Sequence, residues 1–157
     1  MIKPTLFIDM DGVLVDFDKG YHNAFGYTPT KIDDNVDWAL VKAYNGFYAN
    51  LPPMADFDAL WQGVAQYKPI ILTGVPKEVP DSANDKRAWV DKHIGKDQPM
   101  IACLSKEKSL HMRNKGDIMI DDWDKYRHLW LDRDGHWITH ISAEQSLAEL
   151  KALIAEL

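Results

Sequence analysis

Short apolar runs alternate with stretches of helical composition along this chain. The runs at residues 5–8, 69–73, 99–104, 117–120 and 137–140 have strand length, so five strands are expected. Four are apolar almost throughout, the pattern of strands covered by helices on both faces of a parallel sheet. The last, Trp137-Ile138-Thr139-His140, is more polar and is expected at an edge. Helical composition marks residues 82–94 and 123–131 between the strands. At the end of the sequence, Ser142 and Gln145 make a capping box. Leu147, Leu150, Ile154 and Leu157 then form one apolar stripe, so a packing helix closes the chain.

One interval breaks the rhythm. Between the first two strands lie far more residues than a crossover needs, with helical stretches at 16–25, 37–49 and 56–66. They are rich in rings, among them Phe17, Tyr21, Trp38, Phe47 and Tyr48. The expected architecture is therefore α/β: a doubly wound, mostly parallel five-stranded sheet with a small helical cap inserted after strand 1. Residues 1–15 and 62–157 would form the core and residues 16–61 the cap, seated over the carboxyl ends of the strands. Ligands bind at that edge of open α/β sheets.

Composition narrows the partners. The chain has 157 residues, 46% of them hydrophobic and 27% charged, which suits one globular domain. No apolar run approaches the roughly 20 residues of a membrane span. Met1-Ile2-Lys3-Pro4 leads directly into the first strand and leaves no room for a cleaved signal peptide. A single cysteine, Cys103, reads as a core thiol and fits a reducing, cytoplasmic setting. The net charge of −6 disfavours a long nucleic acid but not a small phosphorylated substrate. Monomer and homodimer both remain open. The six histidines show no paired spacing for zinc, and a phosphate-cradling Gly-x-x-x-x-Gly-Lys-Ser/Thr loop is absent.

Chemistry concentrates at three strand ends. Asp9-Met10-Asp11-Gly12 follows the first, Thr73-Gly74 ends the second, and Asp121-Asp122 ends the fourth. Carboxylates this close repel one another unless a cation offsets their charge, and Mg²⁺ prefers oxygen ligands. In a parallel sheet all three ends meet at one edge. Trp123, Trp130 and Trp137 read instead as core or helix-packing residues.

This pattern of Asp-x-Asp-Gly-Val, a strand-ending Thr, a Lys and Asp-Asp resembles the haloacid dehalogenase-like phosphatases. Several stretches resemble the 5′(3′)-deoxyribonucleotidase family in particular: residues 9–17, Gly46-Phe47-Tyr48-Ala49-Asn50-Leu51-Pro52, Lys86-Arg87-Ala88-Trp89-Val90, Lys108-Ser109 and residues 116–122. The resemblance implies a hydrolase of nucleoside monophosphates, with the deoxy forms preferred. It makes Asp9 the nucleophile and Asp11 the acid and base. Mg²⁺ would be held by Asp9, Asp122 and the Asp11 carbonyl, with Asp121 supporting from behind. Thr73, Gly74, Lys86 and Lys108 would contact the phosphoryl group, Lys106 and Lys115 being alternatives to Lys108. Phe17 and Trp38 would meet the base. Another small phosphate ester, such as a sugar phosphate, keeps the mechanism and changes the substrate. A silent phosphate-binding module is the reading from a different class.

Overall fold

The computed structural model describes residues 3–30 and 32–157. Met1 and Ile2, on which the expectation about the N-terminal start partly rests, lie outside them. Five strands pair in parallel throughout: β1 (Leu6–Ile8), β2 (Ile70–Gly74), β3 (Met100–Cys103), β4 (Ile118–Asp121) and β5 (His136–Thr139). Their spatial order is β3-β2-β1-β4-β5. The chain thus builds outward from β1 to β3, then returns to the other side of β1 to lay down β4 and β5. The order reverses between β1 and β4, which is where an open α/β sheet leaves a crevice at its carboxyl edge.

Alternation along the strands sorts the core into two layers. Ile8, Ile71 and Ile120 face a cluster that includes Leu60, Trp89 and Leu150. These come from α3 (Phe57–Val64), α4 (Ser82–His93) and α6 (Ala143–Ala155). Phe7, Leu72 and Met119 point the other way, against Trp130 of α5 (Arg127–Leu131). Helices on both faces account for the near-continuous apolar runs. β5 lies at one edge, as its polar composition suggested, and β3 lies at the other.

The long insertion holds α1 (Phe17–Phe25), α2 (Trp38–Ala43) and a 3₁₀ turn at Tyr48–Asn50. Two backbone hydrogen bonds pinch its ends together: Asp16 N–H to Pro52 O at 2.8 Å and Met54 N–H to Leu14 O at 2.9 Å. The helix expected over 37–49 stops at Ala43. Tyr44 is extended and Gly46 takes a φ of +71°, which an L side chain adopts only with strain. The stretch 123–131 is likewise divided. Trp123 is extended, a 3₁₀ turn covers Asp124–Tyr126, and only Arg127–Leu131 is α-helical. A 3₁₀ segment at Ser105–His111, absent from the expected elements, carries the lysines that follow β3.

The capping box of α6 forms by half. Ser142 Oγ accepts the Gln145 N–H at 3.2 Å, while the Gln145 side chain turns to Glu149. Asp56, at the start of α3, supplies a further cap by accepting the Ala143 N–H at 2.7 Å. Leu150 is buried, but Leu157 lies past the end of the helix and is exposed.

Candidate active site

Strand register decides which carboxylates meet. Ile8 pairs with Ile120, and the Asp9 N–H donates to Ile120 O at 3.0 Å, so Asp9 and Asp121 leave the sheet at the same level. Asp9, Asp121 and Asp122 each offer an oxygen within 4.8 Å of the others. Gly12 lets them close. It has a φ of +79°, and a Cβ built there would collide with the Asp122 carboxylate. The turn after β1 is tied by three N–H groups, of Val13, Leu14 and Val15, donating to Met10 O. Its hydrogen bonds converge on Met10 O and Val15 O rather than on the Asp11 carbonyl.

Lys108 enters this cluster from the 3₁₀ segment. Its ammonium is 2.8 Å from Asp121 Oδ2 and 3.1 Å from Asp9 Oδ1. Burial alone would lower its pKa, but Asp9 and Asp121 together hold it well above the ordinary lysine value. The Asp121 carboxyl is pushed up to about 8, first by burial and then by Asp9, against the pull of Lys108. Its other oxygen accepts the Trp123 N–H at 3.0 Å. Three carboxyl groups are thus gathered beside one ammonium, crowded enough that Asp121 resists ionising. That crowding of acids and the all-oxygen donor set fit a hard divalent cation. Lys106 is exposed at the cleft, and Lys115 pairs with Asp134 on the surface at 3.1 Å, away from the cluster.

Asp11 belongs to a second ionic group. Lys86 is fully buried, not on the outer face of its helix, and its ammonium reaches three acceptors. These are Gly74 O at 2.7 Å, Thr73 Oγ1 at 2.8 Å and Asp11 Oδ2 at 3.0 Å. All three of its donors are thereby engaged. Thr73 is buried as well and does not line the cleft; its hydroxyl serves Lys86. Lys108 differs, because two partners leave it a third N–H with none among the described residues. The Tyr48 ring lies 5.0 Å from the Lys86 ammonium, and burial raises the Tyr48 hydroxyl pKa far above the usual value.

The Asp11 carboxyl is pulled in two directions. Burial pushes its carboxyl above the ordinary carboxylate value, while Lys86 pulls it down and Asp9 pushes it up again. Asp11 Oδ1 is a buried oxygen with no hydrogen-bond partner, although about a third of the side chain is accessible (31%).

Both groups open into one cleft of 1160 Å³. Asp9, Asp11, Asp122, Gly74 and Lys108 line it on the core side, and Phe17, Trp38 and Tyr48 on the side of the insertion. Phe17 is packed among rings, with Phe47 at 5.6 Å and Tyr21 at 5.8 Å. Trp130 is core, as expected, and Trp137 is half-buried with its Nε1–H on Thr139 Oγ1. Trp123 departs from the expectation: it is 38% exposed and lines the cleft. The signal for this was its place directly after the acidic pair, outside any apolar run. Cys103 is half-buried, and burial pushes its thiol up to about 11, as a packed thiol requires.

Known proteins share this arrangement of sequence and fold. The family model described as 5′ nucleotidase, deoxy (Pyrimidine), cytosolic type C protein matches residues 3–131. A protein of Vibrio phage KVP40, named as a candidate 5′(3′)-deoxyribonucleotidase, is 34% identical over 127 residues, covering 78% of this chain and 68% of that protein. A protein of the same description from Bordetella pertussis is 22% identical over 144 residues, 74% of this chain and 73% of that one. Among solved structures, one described as a predicted phosphatase from Clostridium acetobutylicum superposes with a TM-score of 0.59 at 13% identity, over 100% of both chains. L-2-haloacid dehalogenase from Xanthobacter autotrophicus gives 0.54 at 14% identity, over 97% of this chain and 83% of that one. These two establish the fold as haloacid dehalogenase-like. With four-fifths of its length matched, the chain belongs to the 5′-nucleotidase, deoxy (pyrimidine), cytosolic type C family and is a phosphatase.

Proposed function

We propose that the protein is a Mg²⁺-dependent phosphomonoesterase that hydrolyses nucleoside monophosphates, deoxyribonucleotides foremost, through a phosphoryl group carried on Asp9. One observation supports this most: Asp9, Asp121 and Asp122 converge with oxygens within 4.8 Å of one another, and Lys108 pairs with the first two. The descriptions of the family and of the two relatives support the deoxyribonucleotide. The word cytosolic in the family's description, together with the single Cys103, supports a reducing compartment.

An Asp9 carboxylate oxygen attacks phosphorus, and the bond from phosphorus to the ester oxygen breaks. Asp11 gives its proton to the departing alkoxide through Oδ1, its unpartnered oxygen. The Asp11 carboxylate then takes a proton from water, whose oxygen attacks phosphorus and releases Asp9 and phosphate. Lys108 holds Asp9 in line and offers its third N–H to the phosphoryl oxygens. Lys86 anchors Asp11, and Thr73 acts by holding Lys86, while Gly74 borders the cleft beside them.

Asp9, Asp122 and the Asp11 carbonyl would hold the metal, with Asp121 fixed behind them by Lys108 and Trp123. When bound, the ion supplies positive charge that neutralises the carboxylates and the phosphoryl oxygens. The insertion, residues 16–61, acts as the cap, and Phe17 and Trp38 meet the nucleobase from it.

The test is a panel of nucleoside and sugar monophosphates assayed with Mg²⁺ and with chelator. Turnover of deoxyribonucleotides well above sugar phosphates, abolished by chelation, is expected. Equal rates on both classes would overturn the substrate, and full activity in chelator would overturn the metal.

A further inference from the structure

Trp123 is a large apolar ring left 38% exposed inside the cleft. Exposed apolar surface in a concave site marks contact with a ligand more often than a lone surface residue does. Its backbone is not free to wander. The N–H is held at 3.0 Å by Asp121 Oδ1, whose other oxygen pairs with Lys108. The Cα atoms of adjacent residues are about 3.8 Å apart, so the indole begins one residue from Asp122. Phosphoryl site and ring thus share one anchored stretch of backbone.

The ring also has neighbours that set its orientation. Tyr126 meets it edge to face at 5.6 Å, and the Lys125 ammonium lies 5.3 Å from its centroid. A packing residue would be covered by the sheet or by α5, as Trp130 is. Trp123 is extended and sits ahead of that helix, on the core's side of the cleft, whereas Phe17 and Trp38 come from the insertion.

We propose that Trp123 is a specificity-determining contact for the nucleoside portion of the substrate, with the base packing against its indole. This rests on the reading of the substrate as a nucleoside monophosphate. A nucleoside is short enough to touch both the phosphoryl cluster and a ring one residue beyond it. Stacking on tryptophan tolerates any base, so the contact selects nucleotides over aliphatic phosphate esters without choosing among bases.

Trp123→Ala and Trp123→Phe are compared with the unaltered enzyme on a deoxyribonucleoside monophosphate and on glycerol phosphate, both with Mg²⁺. Trp123→Ala should raise KM for the nucleotide by roughly 5- to 100-fold, with kcat within about threefold. Trp123→Phe should recover most of the loss, and glycerol phosphate kcat/KM should not change. A parallel fall on both substrates would mean that the indole props up Asp121 and Asp122, and would overturn the proposal. An unmoved nucleotide KM would overturn it equally. Failure of the substrate reading is separable, because it shows in the unaltered enzyme as no preference for the nucleotide, and the proposal then falls with it.

Discussion

The core side of the cleft is held by charges, and the inserted side by rings. At the ends of β1, β2 and β4, the buried Lys86 and Lys108 bind Asp11, Thr73, Asp9 and Asp121. Across from them, Phe17, Tyr21, Phe25 and Phe47 pack edge to face and in stacks, with centroids between 4.7 and 6.4 Å apart. Short ion pairs between buried groups fix atoms to within a hydrogen-bond length, which phosphoryl transfer requires. Rings give shape and area with little directional demand, which suits recognition of a nucleoside. The division predicts that changes to the charged groups act on turnover and metal, and changes to the rings, those of the insertion and Trp123, on KM.

The largest effect is expected at Asp9, the proposed nucleophile. Asp9→Asn should lower kcat by on the order of 10⁴–10⁶-fold, with the circular dichroism of the folded protein intact. Asp11→Asn follows, with kcat down by about 10²–10⁴-fold, measured on the same nucleotide. Gly12→Ala should weaken Mg²⁺ binding by roughly 10–100-fold, because its Cβ would displace Asp122; a metal titration followed by calorimetry reads this. Phe17→Ala, on the other side, should raise nucleotide KM by roughly 5- to 100-fold and leave the calorimetric Mg²⁺ affinity unchanged. A large loss of kcat in Phe17→Ala would break the division.

The smallest effect is a dependence on pH. The Asp121 carboxyl is raised to about 8 in the folded protein, against roughly 3.9 when unfolded. A raised carboxyl contributes stability that is complete below its unfolded value and is lost as pH climbs through the folded one. A cation bound beside Asp121 favours its charged form and so offsets that loss. The Mg²⁺-induced rise in Tm should therefore grow between pH 5.5 and 8.5, reaching about 5–10 °C at saturating metal. Thermal melts at the two pH values check it, and Phe17→Ala should show the same trend.

Much of this was legible in the chain. Apolar runs of strand length gave the sheet, and the polar residues that closed them marked the edge where the cleft lies. The acidic pairs announced the chemistry because carboxylates so near one another need a partner. Harder to read were the positions fixed by contacts distant in sequence. The surroundings of Lys86 are one case, since nothing local shows that Gly74 O, Thr73 and Asp11 will surround it. Thr73 faces Lys86 rather than the cleft for the same reason. Trp123 was grouped with Trp130 and Trp137 by composition, yet the Asp121 side chain captures its N–H and holds it out of the helix. The break after Ala43 depended on Gly46, one residue whose left-handed backbone outweighs the helical composition around it.

The proposed phosphoryl transfer to Asp9 would leave an intermediate that can be trapped directly. Quenching the enzyme during turnover of a deoxyribonucleotide with Mg²⁺ and reducing it with borohydride converts an aspartyl phosphate to homoserine, which peptide mass mapping locates. Homoserine at position 9, present only with substrate and metal, is the expected result. Its absence there, or its appearance at Asp11, Asp121 or Asp122 instead, would contradict the account.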